Sequence, residues 1–167
     1  EWAVTCTAGG LERLGALAPG RTALVYHGIE AARFPPPPPR PSGGVPVILS
    51  VGRAVEKKGY GDLLQALALL PNDLDWRFVH IGGGALAKDH RRRADALGLS
   101  ARIDWRGAQA QEAVLAAYRK ADLFVLASRI AGDGDRDGLP NVLMEAQSQG
   151  VAVLASAISA IPELIEE

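Results

Sequence analysis

The stretch "VPVILSVGRAVEKKGYGDLLQALALL", residues 45–70, decides the fold. Residues 45–52 are β-branched and apolar and end at a glycine, so they read as a strand buried on both faces. In residues 61–70, Leu63, Leu64, Leu67 and Leu70 recur at helical spacing on one face. Strand, loop and amphipathic helix make half of a βαβ unit. The pattern repeats: "WRFVHIG" (76–82), "RIDW" (102–105), "DLFVLAS" (122–128) and "VAVLAS" (151–156) read as strands, with helices expected over 85–98, 111–121 and 139–149. The alternation predicts an α/β fold, a doubly wound and mostly parallel Rossmann-like sheet flanked by helices. Such sheets bind ligands at the carboxyl ends of their strands, here the loops after Val51, Ile81, Trp105 and Ala127.

Residues 1–44 are less regular, with a strand expected at 2–6, a helix around 10–18 and another strand at 22–26. They read as the end of a preceding domain or a linker packed on the main one. The run "FPPPPPRPSGG" (34–44) lacks N–H donors, favours an extended form and reads as a stiff surface loop; the rival reading is a ligand for a proline-recognition module. Residues 45–167 form the main domain, which stops inside an expected helix and reads as truncated there.

Composition narrows the function. Eighteen Lys and Arg against nineteen acids give a net charge of −1, so there is no overall basic field for nucleic acid or anionic membrane. No apolar run reaches about 18 residues. The single cysteine, Cys6, excludes an internal disulfide and reads as a small strand residue. Together these features suggest a cytoplasmic chain. No Cys/His/carboxylate group has metal-site spacing, and "ASR" near 128 lacks a nucleophile elbow. The run "HRRR" (90–93) reads as solvent-facing, His80 as a satisfied core or edge residue, and His27 as a side chain able to face a cleft.

Three segments carry chemistry. In "GDGDRDGLPNVLMEAQSQG" (132–150), Gly138 permits close approach, Pro140 suits a first helical turn and Gly150 terminates the helix. The free N–H groups at that helix start form an anion site. Leu139, Val142, Leu143 and Ala146 fall on the core face, with Glu145 and Asn141 on its border. Glu145 and the loop acids Asp133, Asp135 and Asp137 read equally well as ligand contacts or as solvated polar groups. In "SVGRAVEKKG" (50–59), Arg53, Lys57 and Lys58 follow a strand end, where a guanidinium and an ammonium suit a diphosphate. In "HIGGGALAKDH" (80–90), Gly82, Gly84 and Ala87 fit G-x-G-x-x-A, with Asp104 twenty residues beyond Gly84. That is a dinucleotide fingerprint on paper, and it supports an NAD-binding domain as the alternative.

Taken in order, "YHGIEAARF", "SVGRAVEKKG", "HIGGG", "ADLFVLAS" and "DGLPNVLMEAQSQGVAVLAS…IPELI" resemble glycosyltransferase family 4, retaining enzymes built from two Rossmann domains and termed GT-B. The resemblance covers nearly the whole chain, corresponds to the C-terminal donor-binding domain, and is strongest to the exopolysaccharide and colanic-acid-type enzymes. It implies a nucleoside-diphosphate sugar as donor substrate, UDP- or GDP-linked, with no cofactor or metal. A hexose would pass to a glycan or lipid-linked acceptor held by the absent N-terminal domain. Any membrane contact would be peripheral, at the inner face, through the full-length protein.

The resemblance also implies roles. Where the family pairs two glutamates across seven residues, this sequence has Asp137, one methylene shorter, and Glu145. Asp137 would contact the donor sugar and Glu145 the ribose. Arg53 and Lys58 would take the diphosphate; Gly52 at the strand end, and Gly82, Gly83 and Gly84, which read equally as backbone room for any nucleotide or sugar, are counted with the binding residues. Gly138 and the amides of Leu139, Asn141 and Val142 would share the diphosphate, Pro140 having no N–H; Gln109 and Gln111, in the loop from Gly107, would lie at the base. After the NAD-binding domain, the second rival is a sugar-nucleotide epimerase or phosphorylase of the same architecture.

Overall fold

The computed structural model describes residues 1–39 and 43–165. Five strands form one parallel sheet: β3 (Val47–Val51), β4 (Arg77–Ile81), β5 (Ile103–Gly107), β6 (Leu123–Leu126) and β7 (Ala152–Ala155), in the order β5-β4-β3-β6-β7. The doubly wound sheet is therefore as expected. Two further strands, β1 (Ala3–Thr5) and β2 (Thr22–Leu24), pair parallel in a separate small sheet around α1 (Ala8–Leu17). Thr7 caps α1, its Oγ1 accepting from the Gly10 N–H at 3.0 Å.

Right-handed crossovers explain the layers. From β3 the chain steps outward through α2 (Tyr60–Ala68) to β4, then through α3 (Ala87–Ala96) to β5, so both helices cover one face. It returns through α4 (Gln111–Lys120) to β6 and through α5 (Asn141–Ser148) to β7, on the opposite face. Alternation along each strand then sorts the core. Phe78 and Val125 join Tyr60, Leu63, Leu64, Leu67 and Ala94 in one cluster; Leu49, Val79, Phe124 and Leu126 join Ala117, Tyr118, Leu143 and Ala146 in the other. Each fully buried Leu or Phe contributes about 1.5–3 kcal/mol.

Several local expectations change. β5 is an edge strand apolar on one face only, because Ile103 and Trp105 pack under α2 and α3 while Asp104 is exposed and pairs with Arg106 Nε at 2.7 Å. Pro140 stands just before α5 as its N-cap, not within the first turn. Cys6 lies one residue past β1, half-buried. Of "HRRR", the three arginines are exposed as expected, but His90 turns inward against Tyr60, and its Nε2 has no partner among the described residues. Pro35 is fastened down: its carbonyl accepts from Arg119 Nη2 (3.1 Å) and Gln149 Nε2 (3.2 Å). The proline run thus straps α4 and α5 over its first residues, and its 40–42 portion lies outside the described residues.

Candidate functional site

The strand order reverses between β3 and β6, so the loops after Val51 and Leu126 flank a crevice at the carboxyl edge. Those loops are stapled together. Arg129 N donates to Lys57 O at 2.8 Å, and Gly132 N donates to Glu56 Oε1 at 3.0 Å. Gly59, with φ +64, passes so close to Ala127 O that a Cβ would stand 1.7 Å from it.

Charge is concentrated at this junction. Lys58 Nζ lies 2.7 Å from Asp137 Oδ2, and Ser128 Oγ donates to the same oxygen at 3.2 Å. Lys57 Nζ bridges Asp135 Oδ1 (3.0 Å) and Asp137 Oδ1 (3.6 Å). The hydrogen bond between them holds the Lys57 ammonium above its ordinary pKa and the Asp135 carboxyl below its own. Lys58 and Asp137 have side chains only 12% and 14% exposed, so the pair is shielded from screening. Arg53 is exposed beside them, with no hydrogen-bonded or ion-paired partner among the described residues.

The start of α5 adds donors. The N–H groups of Gly138, Leu139, Asn141 and Val142 have no protein acceptor among the described residues, and Pro140 provides no side-chain cap. His27 crosses beside them, its Nε2–H donating to Asn141 Oδ1 at 2.6 Å. One turn on, Glu145 is half-buried, and Tyr118 O–H donates to its Oε2 at 3.0 Å. Burial, then the Glu145 charge, raises the Tyr118 pKa, so the phenol stays a donor and fixes the carboxylate's direction.

Glu145, Asn141 and Val142 line a cavity of about 470 Å³ with Gln109, Gln111 and Val51. Gln111 accepts from Arg33 Nε at 3.0 Å, and Gln109 donates to Arg106 O at 2.7 Å. A second cavity, about 480 Å³, begins at Asp137 and Gly138 and reaches α1.

The three glycines after β4 have another task. At Gly82 (φ +146) a Cβ would stand 1.9 Å from Gly52 O, and at Gly84 (φ +146) 2.5 Å from Ala54 O. Gly52 N donates to Ile81 O, Ala54 N to Gly83 O and Leu86 N to Ala54 O. Gly82, Gly83 and Gly84 therefore hold the Gly52–Arg53 loop in place, and neither cavity above is lined by them. With the Leu86 amide occupied and Asp104 tied to Arg106, the dinucleotide reading is not favoured.

His80, 1% exposed, supports the same loop from below, its Nε2–H donating to Gly52 O at 3.1 Å. Burial pushes its pKa from 6.5 down to about 4. The unfolded chain then takes up a proton that the folded one refuses, so this contribution is complete above about pH 6.5 and is lost as pH falls towards 4, on the order of 3 kcal/mol. Denaturant titrations at pH 7 and pH 4.5 are expected to show that loss shrinking in His80→Gln; an unchanged difference would count against it.

Sequence reasoning did not find Tyr118, Ser128 or Arg33. Helical periodicity places Tyr118 in the core, but its partner is 27 residues away on another helix, a pairing only topology reveals.

A sequence model of the family described as Glycosyl transferases group 1 matches residues 36–167. The chain belongs to this family. It is 31% identical over 160 residues to a protein of Escherichia coli (strain K12) named as a colanic acid biosynthesis glycosyltransferase, covering 95% of this chain and 39% of that one. It is 38% identical over 120 residues to the amylovoran biosynthesis glycosyltransferase AmsK of Erwinia amylovora, covering 71% and 30% respectively. Among solved structures, Anabaena Alr3699/HepE in complex with UDP-glucose superposes with a TM-score of 0.81 at 19% identity, over 99% of this chain and 47% of that one. The apo lipopolysaccharide outer core galactosyltransferase WaaB gives 0.77 at 23%, over 99% and 46%. The fold of this glycosyltransferase-family chain is the Rossmann-like half of the GT-B architecture. The chain spans less than half the length of these relatives. Among the described residues no helix is long and apolar enough to cross a membrane, and no three His, Cys, Asp or Glu groups gather to hold a metal.

Proposed function

We propose that this chain is the donor-binding part of a retaining family 4 glycosyltransferase, moving a hexose from a UDP- or GDP-sugar to a glycan or lipid-linked acceptor in surface polysaccharide assembly. The observation that carries this reading is the α5 start, where unused amides lie between Asp137 on one side and Glu145 on the other. The diphosphate sits on those amides, with Arg53 and Lys58 beside it. Glu145, held by Tyr118, accepts from the ribose hydroxyls, and the base lies towards Gln109 and Gln111 in the 470 Å³ cavity.

As the sugar–phosphate bond breaks, negative charge grows on the departing diphosphate. Fixed cations and amides stabilise that charge where it develops. Donor binding exchanges partners: phosphate oxygens draw Lys58 from Asp137, and the released carboxylate accepts from the sugar. Lys57 and Ser128 keep Asp137 in position during the exchange.

Residues 1–44 belong, on this reading, to the end of an N-terminal domain and its linker, while residues 45–167 form the donor domain. The support is that the small sheet pairs with no strand of the main one and that Trp2, Val4 and Val25, in and beside it, are exposed, since a two-stranded sheet is marginal alone. The full protein works in the cytoplasm, with any membrane contact at the inner face. Catalysis requires donor and acceptor to be held together, so the 167-residue chain is expected to bind nucleotide and transfer no sugar. Radiolabelled donor incubated with candidate acceptors checks this; transfer by the chain alone would contradict it.

A further inference from the structure

The cavity on the sugar side of Asp137 has a charge balance that the donor reading does not use. It is lined by Arg13 from α1 and by Arg136, Asp137 and Gly138, with Ser159 and Glu163 closing the far wall. Both carboxylates are already engaged. Asp137 is held by Lys58, Lys57 and Ser128. Glu163 accepts from Ala8 N (2.9 Å) and from Tyr26 O–H (2.8 Å), which also occupies the start of α1. The guanidinium groups of Arg13 and Arg136 have no hydrogen-bonded or ion-paired partner among the described residues, and both residues are exposed. The cavity of about 480 Å³ therefore presents two guanidinium groups without a protein partner and one carboxylate, Glu163, that neutral donors alone hold.

We propose that this cavity binds an anionic group carried by the acceptor, a carboxylate or a phosphate, through Arg13 and Arg136. The inference rests on the donor reading for the acceptor and for the position of the sugar; the two unpartnered guanidinium groups stand without it. Guanidinium forks pair two oxygens of either group at once. Arg136 immediately precedes Asp137, so an anion held there lies beside the reacting sugar and not beside the nucleoside.

The test titrates the chain, with UDP and GDP present at saturation so that the diphosphate site is filled, with methyl glucuronide and glycerol 3-phosphate against their neutral counterparts, methyl glucoside and glycerol. Two variants accompany it: Arg13→Gln/Arg136→Gln, and Arg53→Gln at the diphosphate site. At least one anionic probe is expected to bind tenfold or more tightly than its counterpart. The preference should vanish in the double variant, persist in Arg53→Gln and weaken with salt. Preference for the glucuronide alone assigns an acidic sugar; preference for the phosphate alone assigns a phosphorylated carrier. Equal binding of charged and neutral probes would overturn the proposal, as would a preference that survives the double variant or disappears with Arg53. Both arginines are exposed, so the double variant should melt with wild type; if it does not, the single variants must each weaken binding or the proposal fails. Nucleoside-diphosphate binding, measured in parallel, reports the donor reading separately.

Discussion

Alanine at Gly59 is expected to destabilise the domain by at least about 3 kcal/mol and to disorganise the charged junction with it. Gly59 has φ +64, a left-handed conformation that costs an ordinary residue about 1 kcal/mol or more. The larger cost is steric, because an added Cβ would stand 1.7 Å from Ala127 O, a backbone atom that cannot swing aside. Relief requires the loop after β6 to retreat from the loop after β3, separating Lys58 from Asp137. Gly15→Ala in α1 is the matched control: no atom lies within 4 Å of that added Cβ, and an interior helical alanine should stabilise by about 0.5–1 kcal/mol. Urea unfolding of both variants checks the pair. A Gly59→Ala protein as stable as wild type would mean that the two loops are not seated as described.

The second large effect concerns the ion pair itself. Lys58→Met leaves Asp137 half-answered by Lys57 at 3.6 Å, in a place only 14% exposed, and is expected to cost about 2–4 kcal/mol. Asp137→Asn should cost less, because Ser128 still has an acceptor to donate to. The double variant Lys58→Met/Asp137→Asn should recover 1 kcal/mol or more of the summed losses, roughly the coupling expected of residues in direct contact. Losses that simply add would show that the pair is not coupled. If donor binding works by partner exchange, Asp137→Asn also releases Lys58 in advance, so nucleoside-diphosphate affinity should rise in that variant while it falls in Lys58→Met.

Much of the fold was legible because buried strands and amphipathic helices have different periods. Residues 45–70 show both, and the alternation from there to Val153 follows the sequence pattern closely. β5 was less legible: four residues, "RIDW", cannot show that Asp104 faces an uncovered flank, which depends on where α4 crosses. The candidate residues were partly legible for a similar reason. Gly138, Asn141 and Glu145 lie on one helix start, where 3.6-residue geometry suffices. The packing task of the glycines at 82–84 was not legible, since local spacing cannot distinguish room for a phosphate from room for the Gly52–Ala54 backbone. Lys57, Lys58, Ser128 and Asp137 come from two loops whose meeting follows from strand order alone. The partners of Glu145 and Glu163, Tyr118 and the Ala8 amide, required the folded chain to be seen.

The most direct test of the central claim is a calorimetric titration of this chain with UDP, GDP, their common sugar conjugates and NAD, beside an Arg53→Ala/Lys58→Ala/Glu145→Ala variant. The donor-site account predicts that one nucleoside diphosphate binds, that NAD does not, and that the variant loses the binding by at least about tenfold. NAD binding that the variant retains would place the ligand at the glycine turn after β4 and contradict the account.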